Sequence, residues 1–147
     1  MSNVIDEFEK LHAGVVDWIN GKCEKSSQVF DSIYAGRLDA DFMLVAPTGH
    51  RISKDMVTQY IESIYGSNPD FRIQITDTTV LAEDDKILTA HCLMWHKNSL
   101  GTPSPNFGRN ISAVFAKDTS MPNGLRWVFA HESPLSEDEN NEKEYNF

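Results

Sequence analysis

The residues best suited to chemistry lie near the end of the chain, in Arg126-Trp127-Val128-Phe129-Ala130-His131-Glu132-Ser133. Valine, phenylalanine and tryptophan in close order favour an extended strand, because branched and aromatic side chains fit a pleated surface. A histidine and a carboxylate then stand side by side where that strand ends. Neighbours on a strand point to opposite faces, so His131 and Glu132 are not an acid–base pair unless a bulge intervenes. Alternation groups His131 with Trp127 and Phe129, and Glu132 with Val128 and Ala130. If the bulkier set lines a cavity, His131 is a titratable group in apolar surroundings, where burial keeps the neutral ring available as a base. The plainer reading is a histidine that only hydrogen-bonds a neighbouring backbone group.

Arg109 is the second catalytic candidate. It follows the segment LGTPSPNFG (100–108), a loop by its glycines and prolines, and opens a stretch containing Ile111, Ala113 and Phe115. A guanidinium at the mouth of an apolar hollow orients a carboxylate or enolate oxygen through paired hydrogen bonds. A surface salt bridge is the alternative. His91 and His96 fall on opposite faces of one strand and cannot share a metal, and HESPL (131–135) lacks the second histidine of a zinc-binding helix. With no glycine-rich phosphate loop, nucleophile elbow or Cys–His dyad either, neither metal nor cofactor is expected. His91, if it faces inward with Thr89 and Trp95, joins Trp18, Tyr60, Phe71 and Trp127 as a candidate ligand contact. For His91 and the two helical aromatics, a place in the core is the competing reading.

The elements that must hold these residues follow from periodicity. Ile5, Phe8, Leu11, Val15, Trp18 and Ile19 recur at three- and four-residue intervals, one apolar face of a helix over 3–20 with Asp6, Glu7, Glu9 and Lys10 outside. Asn20-Gly21 ends it. A short helix is expected over 26–34 and a strand over 40–46, closed by a turn at Pro47-Thr48-Gly49. Ser53 caps a third helix reaching Tyr65. From Phe71 the period becomes two, with strands over 71–76, 86–97, 109–117 and 125–133. This order makes an α+β fold, three N-terminal helices packed in a strongly curved, mostly antiparallel sheet. The strand 86–97 is apolar on both sides, with Leu88, Ala90, Cys92 and Met94 on one and Ile87, Leu93 and Trp95 on the other. Its second face needs a cover, and a homodimer packed sheet to sheet supplies one.

At 147 residues the chain reads as one domain, 1–135, followed by an acidic tail, 136–147, expected to be disordered. The net charge of −9 excludes nucleic acid, which needs clustered basic residues. No apolar run is long enough for a bilayer span, so no membrane partner is expected. The N-terminus lacks a basic leader and an apolar core, and Cys23 and Cys92 are isolated; both features suggest a reduced, cytoplasmic protein.

The helix–helix–strand–helix opening, the ADFMLVAPTG turn into the third helix and the closing Trp127-x-x-x-His131-x-Ser133 pattern together resemble the nuclear transport factor 2-like superfamily, its SnoaL-like members in particular. The resemblance spans the chain from the Trp18 helix to Ser133. It implies a cone-shaped α+β barrel with a pocket at its open end, in many members a dimer. The superfamily hosts isomerases, cyclases, dehydratases and kinase oligomerisation domains, so fold alone assigns no activity. Where ketosteroid isomerases carry their aspartate base, just before a Pro-x-Gly turn, this chain has Ala46, which cannot take a proton. Their oxyanion-binding tyrosine has only apolar counterparts here, around Val15 or Trp18. Kinase-association relatives carry pocket arginines, and the nearest position here is Ala113 rather than Arg109. The resulting expectation is a protein whose cavity binds a small apolar or aromatic molecule, with Arg109 orienting an oxygen and His131 moving a proton. The alternative is a non-catalytic dimerisation or protein-interaction module of the same fold.

Overall fold

The computed structural model describes residues 3–147. The first helix, α1 (Val4–Asn20), buries Val4, Phe8, Leu11, Val15 and Trp18 and ends at Gly21, whose φ of 75° is the left-handed conformation that only glycine adopts without strain. A second helix, α2 (Ser27–Ile33), starts from a Ser26 hydroxyl that accepts the Val29 amide at 3.1 Å and runs into one 3-10 turn at Ala35–Arg37. The first strand, β1 (Leu38–Val45), is followed by a short β2 (Arg51–Ser53) that the sequence does not signal. Ser53 then caps α3 (Lys54–Ser63) through the Met56 amide at 3.2 Å.

Four long strands complete the sheet: β3 (Arg72–Glu83), β4 (Ile87–Lys97), β5 (Phe107–Lys117) and β6 (Leu125–Pro134). The order across the sheet is β2-β1-β6-β5-β4-β3, with β1 and β6 parallel and every other pair antiparallel. The sheet curls around the helices without closing. Extra residues in β3 sharpen that curl: Thr76 pairs with Leu93 but Thr79 with His91, and Asp77 in between has φ 56°. As the alternation requires, Leu88, Ala90, Cys92 and Met94 form the inner face of β4, all at most 2% exposed.

Two expectations are corrected here. Glu7, placed outside α1 by its charge, is fully buried. Its carboxylate accepts Arg37 Nη1 at 2.6 Å, Trp127 Nε1 at 2.7 Å and Asn123 Nδ2 at 2.9 Å, so three donors offset its desolvation. The residues after Ser136 do not trail free. Ser136 caps a fourth helix, α4 (Glu137–Glu142), whose acidic first turn suits the positive end of the helix. The Gly108 amide donates to Asn140 Oδ1 at 2.7 Å, and Lys143 Nζ reaches Gln74 at 2.6 Å while lying 4.9 Å from the Trp95 ring centre. This segment therefore covers the outward-facing Trp95. Composition alone hid it, because its few anchors are scattered among carboxylates.

Candidate functional site

The strand β6 carries one residue too many for its partner. Trp127 pairs with Phe115 and Phe129 with Val114, so Val128 is an extra residue in β6. A bulge of this kind resets the alternation downstream. Trp127 points inward, and after Val128 it is Ala130 and Glu132 that share its side while Phe129 and His131 turn away. His131 is exposed and paired with Ser112 and Val45. The ring of His131 thus lies on the outer face of the sheet, not in the hollow it was expected to line as a base.

The hollow itself exists. Helices and inner sheet face enclose an open cavity of about 710 Å³, floored by Leu11, Val15, Ile111 and Trp127 and reaching a rim where Tyr60 and Leu100 are 62% and 70% exposed. Phe71 and Trp127 line its walls, and Tyr60 stands at the mouth. Trp18 is not a wall: it is 1% exposed, wedged against Phe30 and Tyr65, and its indole N–H donates to the Ile61 carbonyl at 3.0 Å. His91 is not one either. It lies on the outer face, its Nε2 within 2.9 Å of Asn110 Oδ1, because β4 alternates regularly and only residues in phase with Met94 face in.

Arg109 does line the cavity, and it is not alone there. Its Nη1 donates to Glu132 Oε1 at 2.9 Å, and its guanidinium carbon lies 4.9 Å from the centre of the Phe107 ring. Both partners are mostly shielded, at 26% and 12% side-chain exposure, so the pair is stronger than a surface ion pair and carries a larger desolvation cost. Glu132 is the residue that strict alternation excluded and the bulge admits.

Three buried titratable groups also meet the same hollow. His12, on α1, is 8% exposed, and its Nδ1 lies 2.7 Å from the Phe8 carbonyl oxygen. Burial lowers its pKa, against smaller opposing effects of that carbonyl and of Glu132 and Glu7. His96 lies between Phe71 and Phe107, and its Nε2 has no partner among the described residues and no solvent contact. Burial first, then the charge of Arg109, depresses its pKa to about 3. Tyr34, at the end of α2, has its phenol pKa pushed up by burial and by the Glu132 charge. The ionic charges of the cavity thus cancel within one pair, and burial disfavours the charged forms of His12, His96 and Tyr34. His12 sat in the sequence one position from Leu11 on the apolar face of α1, a placement that could have flagged it. Among the described residues no group of three or more histidine, cysteine or acidic side chains is placed to hold a metal ion.

No family model and no curated protein matches this sequence. Solved structures do share its fold. An NTF-2 like protein of unknown function from Pseudomonas aeruginosa, 21% identical, superposes with a TM-score of 0.78 over 90% of this chain and 98% of its own. An NTF2-like protein of unknown function in nutrient uptake from Rhodospirillum rubrum is 16% identical, with a TM-score of 0.66 over 92% of this chain and 100% of its own. The CaMKII hub of S. rosetta is 13% identical, with a TM-score of 0.68 over 90% and 94%.

Proposed function

From an NTF2-like fold whose curled sheet encloses an apolar hollow, we propose that this chain is a small-molecule-binding protein, its ligand a small apolar or aromatic molecule bearing a polar oxygen. The observation that carries this reading is the cavity: about 710 Å³, within the usual range of ligand sites, walled by apolar side chains and supplied with a few convergent polar groups. Arg109 retains guanidinium hydrogens beyond the one given to Glu132, and these orient the ligand oxygen. The chemistry open to such a site is proton transfer of the isomerase, cyclase or dehydratase type. Titrating small aromatic compounds against tryptophan fluorescence tests it, since Trp127 floors the hollow. Ile64 lines the hollow, and binding that Ile64→Trp abolishes by filling that space supports the reading; no binding, or binding that Ile64→Trp leaves intact, defeats it.

A second reading is favoured by the outer face of the sheet. Its central residues Leu93, Asn110, Ser112, Val114, Phe129 and His131 include no lysine, arginine or carboxylate, in a chain of net charge −9. A neutral, partly apolar face is where two such chains meet without repulsion, so we assign it to a homodimer. A fold shared with a CaMKII hub is consistent with an association role. Light scattering coupled to size exclusion that finds only monomer at micromolar concentration removes this assignment.

A further inference from the structure

We propose that the cavity selects a neutral ligand with a hydroxyl group, a phenol or enol in class, and that His12 Nε2 accepts the hydroxyl proton in a hydrogen bond. This rests on the cavity being a binding site and names what it binds. The tautomer of His12 follows from geometry. A backbone carbonyl can only accept, so the 2.7 Å contact with the Phe8 oxygen puts the ring hydrogen on Nδ1 and leaves Nε2 as a bare lone pair in the neutral ring. Nε2 has no hydrogen-bond partner among the described residues, and unlike Nε2 of His96 it is not sealed from the hollow that His12 lines. An acceptor open to the hollow and without a protein partner is met there by water or by a ligand. Burial also holds the ring neutral, so that it offers a lone pair rather than a charge.

The balance of charge decides the rest. An incoming anion meets Arg109, but it also meets Glu132, which already occupies that guanidinium at 2.9 Å and is less exposed than it. To bind a carboxylate, the site has to break that pair or bury a second negative charge beside it, both unfavourable in shielded surroundings. A neutral hydroxyl carries no such cost. Tyr34 lines the same wall, and its raised pKa keeps it a hydroxyl rather than a second anion.

The test compares three probes of one shape on the full chain: β-naphthol, its methyl ether, which lacks the donor, and β-naphthoate, which is anionic. We expect β-naphthol to bind roughly ten-fold or more tighter than either, the factor one well-made buried hydrogen bond supplies. Naphthol is a strong acid in its excited state, so contact with a bare imidazole nitrogen also converts its emission to that of the naphtholate. Both His12→Phe and His12→Gln should lose that emission, while the methyl ether binds all folded variants alike. Equal binding of naphthol and ether, or tightest binding of naphthoate, overturns the inference yet leaves the cavity as a binding site. Binding of none of the three by wild-type protein overturns the inference together with the reading on which it stands.

Discussion

Glu132 Oε1 lies 2.9 Å from Arg109 Nη1, two strands' side chains joined inside an apolar hollow because one extra residue, Val128, shifts the phase of β6. Without that residue the same strand would present His131 to the cavity and leave Arg109 without a counterion there. The electrostatics of the site therefore depend on a backbone irregularity as much as on residue type.

Breaking the pair from one side should cost more than removing it altogether. Arg109→Leu or Glu132→Leu alone leaves a shielded charge uncompensated, and each is expected to lower stability by roughly 2–4 kcal/mol, while the double variant recovers most of the loss. Urea denaturation of the four proteins measures the cycle. Additive losses would show that the two side chains do not interact in solution.

Glu7 is the more demanding case, because its three donors tie α1, the turn after α2, the turn before β6 and the Trp127 indole together. Glu7→Ala strands the Arg37 guanidinium at 11% exposure and is expected to cost about 3–5 kcal/mol. Glu7→Gln, which keeps the shape and one acceptor, should cost less. The ranking is read from thermal or denaturant midpoints.

Acid should destabilise the fold in a defined window. Folded His96 takes up a proton only near pH 3, whereas the unfolded chain does so near 6.5. Between those values the unfolded state binds more protons, so stability is full above about pH 6.5 and falls by up to about 1.4 kcal/mol per pH unit below it. His12 is shifted in the same direction and adds to the slope. His96→Phe should remove part of the dependence and, by eliminating an unpaired buried nitrogen, should not destabilise the protein at pH 7. Denaturant midpoints at several pH values give the slope directly.

Ending the chain at Leu135 should uncover Trp95. The loss of the Lys143 contact and of the Asn140–Gly108 bond is expected to cost roughly 1–3 kcal/mol and to shift tryptophan emission to the red. Unchanged emission would place the segment elsewhere.

Helices and strands were legible in the sequence because their burial is periodic. Ile5 is an exception that cost nothing: it sits on the predicted stripe yet is 43% exposed. The grouping of Leu88, Ala90, Cys92 and Met94 on one face of β4 was legible for the same reason, but which face turns inward was not, and His91 was offered on the inner side. What periodicity cannot supply is the point at which it breaks. Nothing in Trp-Val-Phe-Ala distinguishes Val128 as an extra residue, since valine is equally at home in a regular strand, and every assignment beyond it was inverted. Charge misled in a second way. Glu7 was read as solvent-facing by type, whereas it is held in by cationic and N–H partners far away in the chain, at Arg37, Asn123 and Trp127.

The orientation of the His131 ring tests the account most directly. In a proton NMR spectrum its imidazole hydrogens should show cross-relaxation with the Val45 methyl groups and the Ser112 β hydrogens, its neighbours across the outer face. Cross-peaks from that ring to the Trp127 indole or to His12 would instead put it inside the hollow, and the bulge at Val128, the inward Glu132 and the neutral cavity would all fall with it.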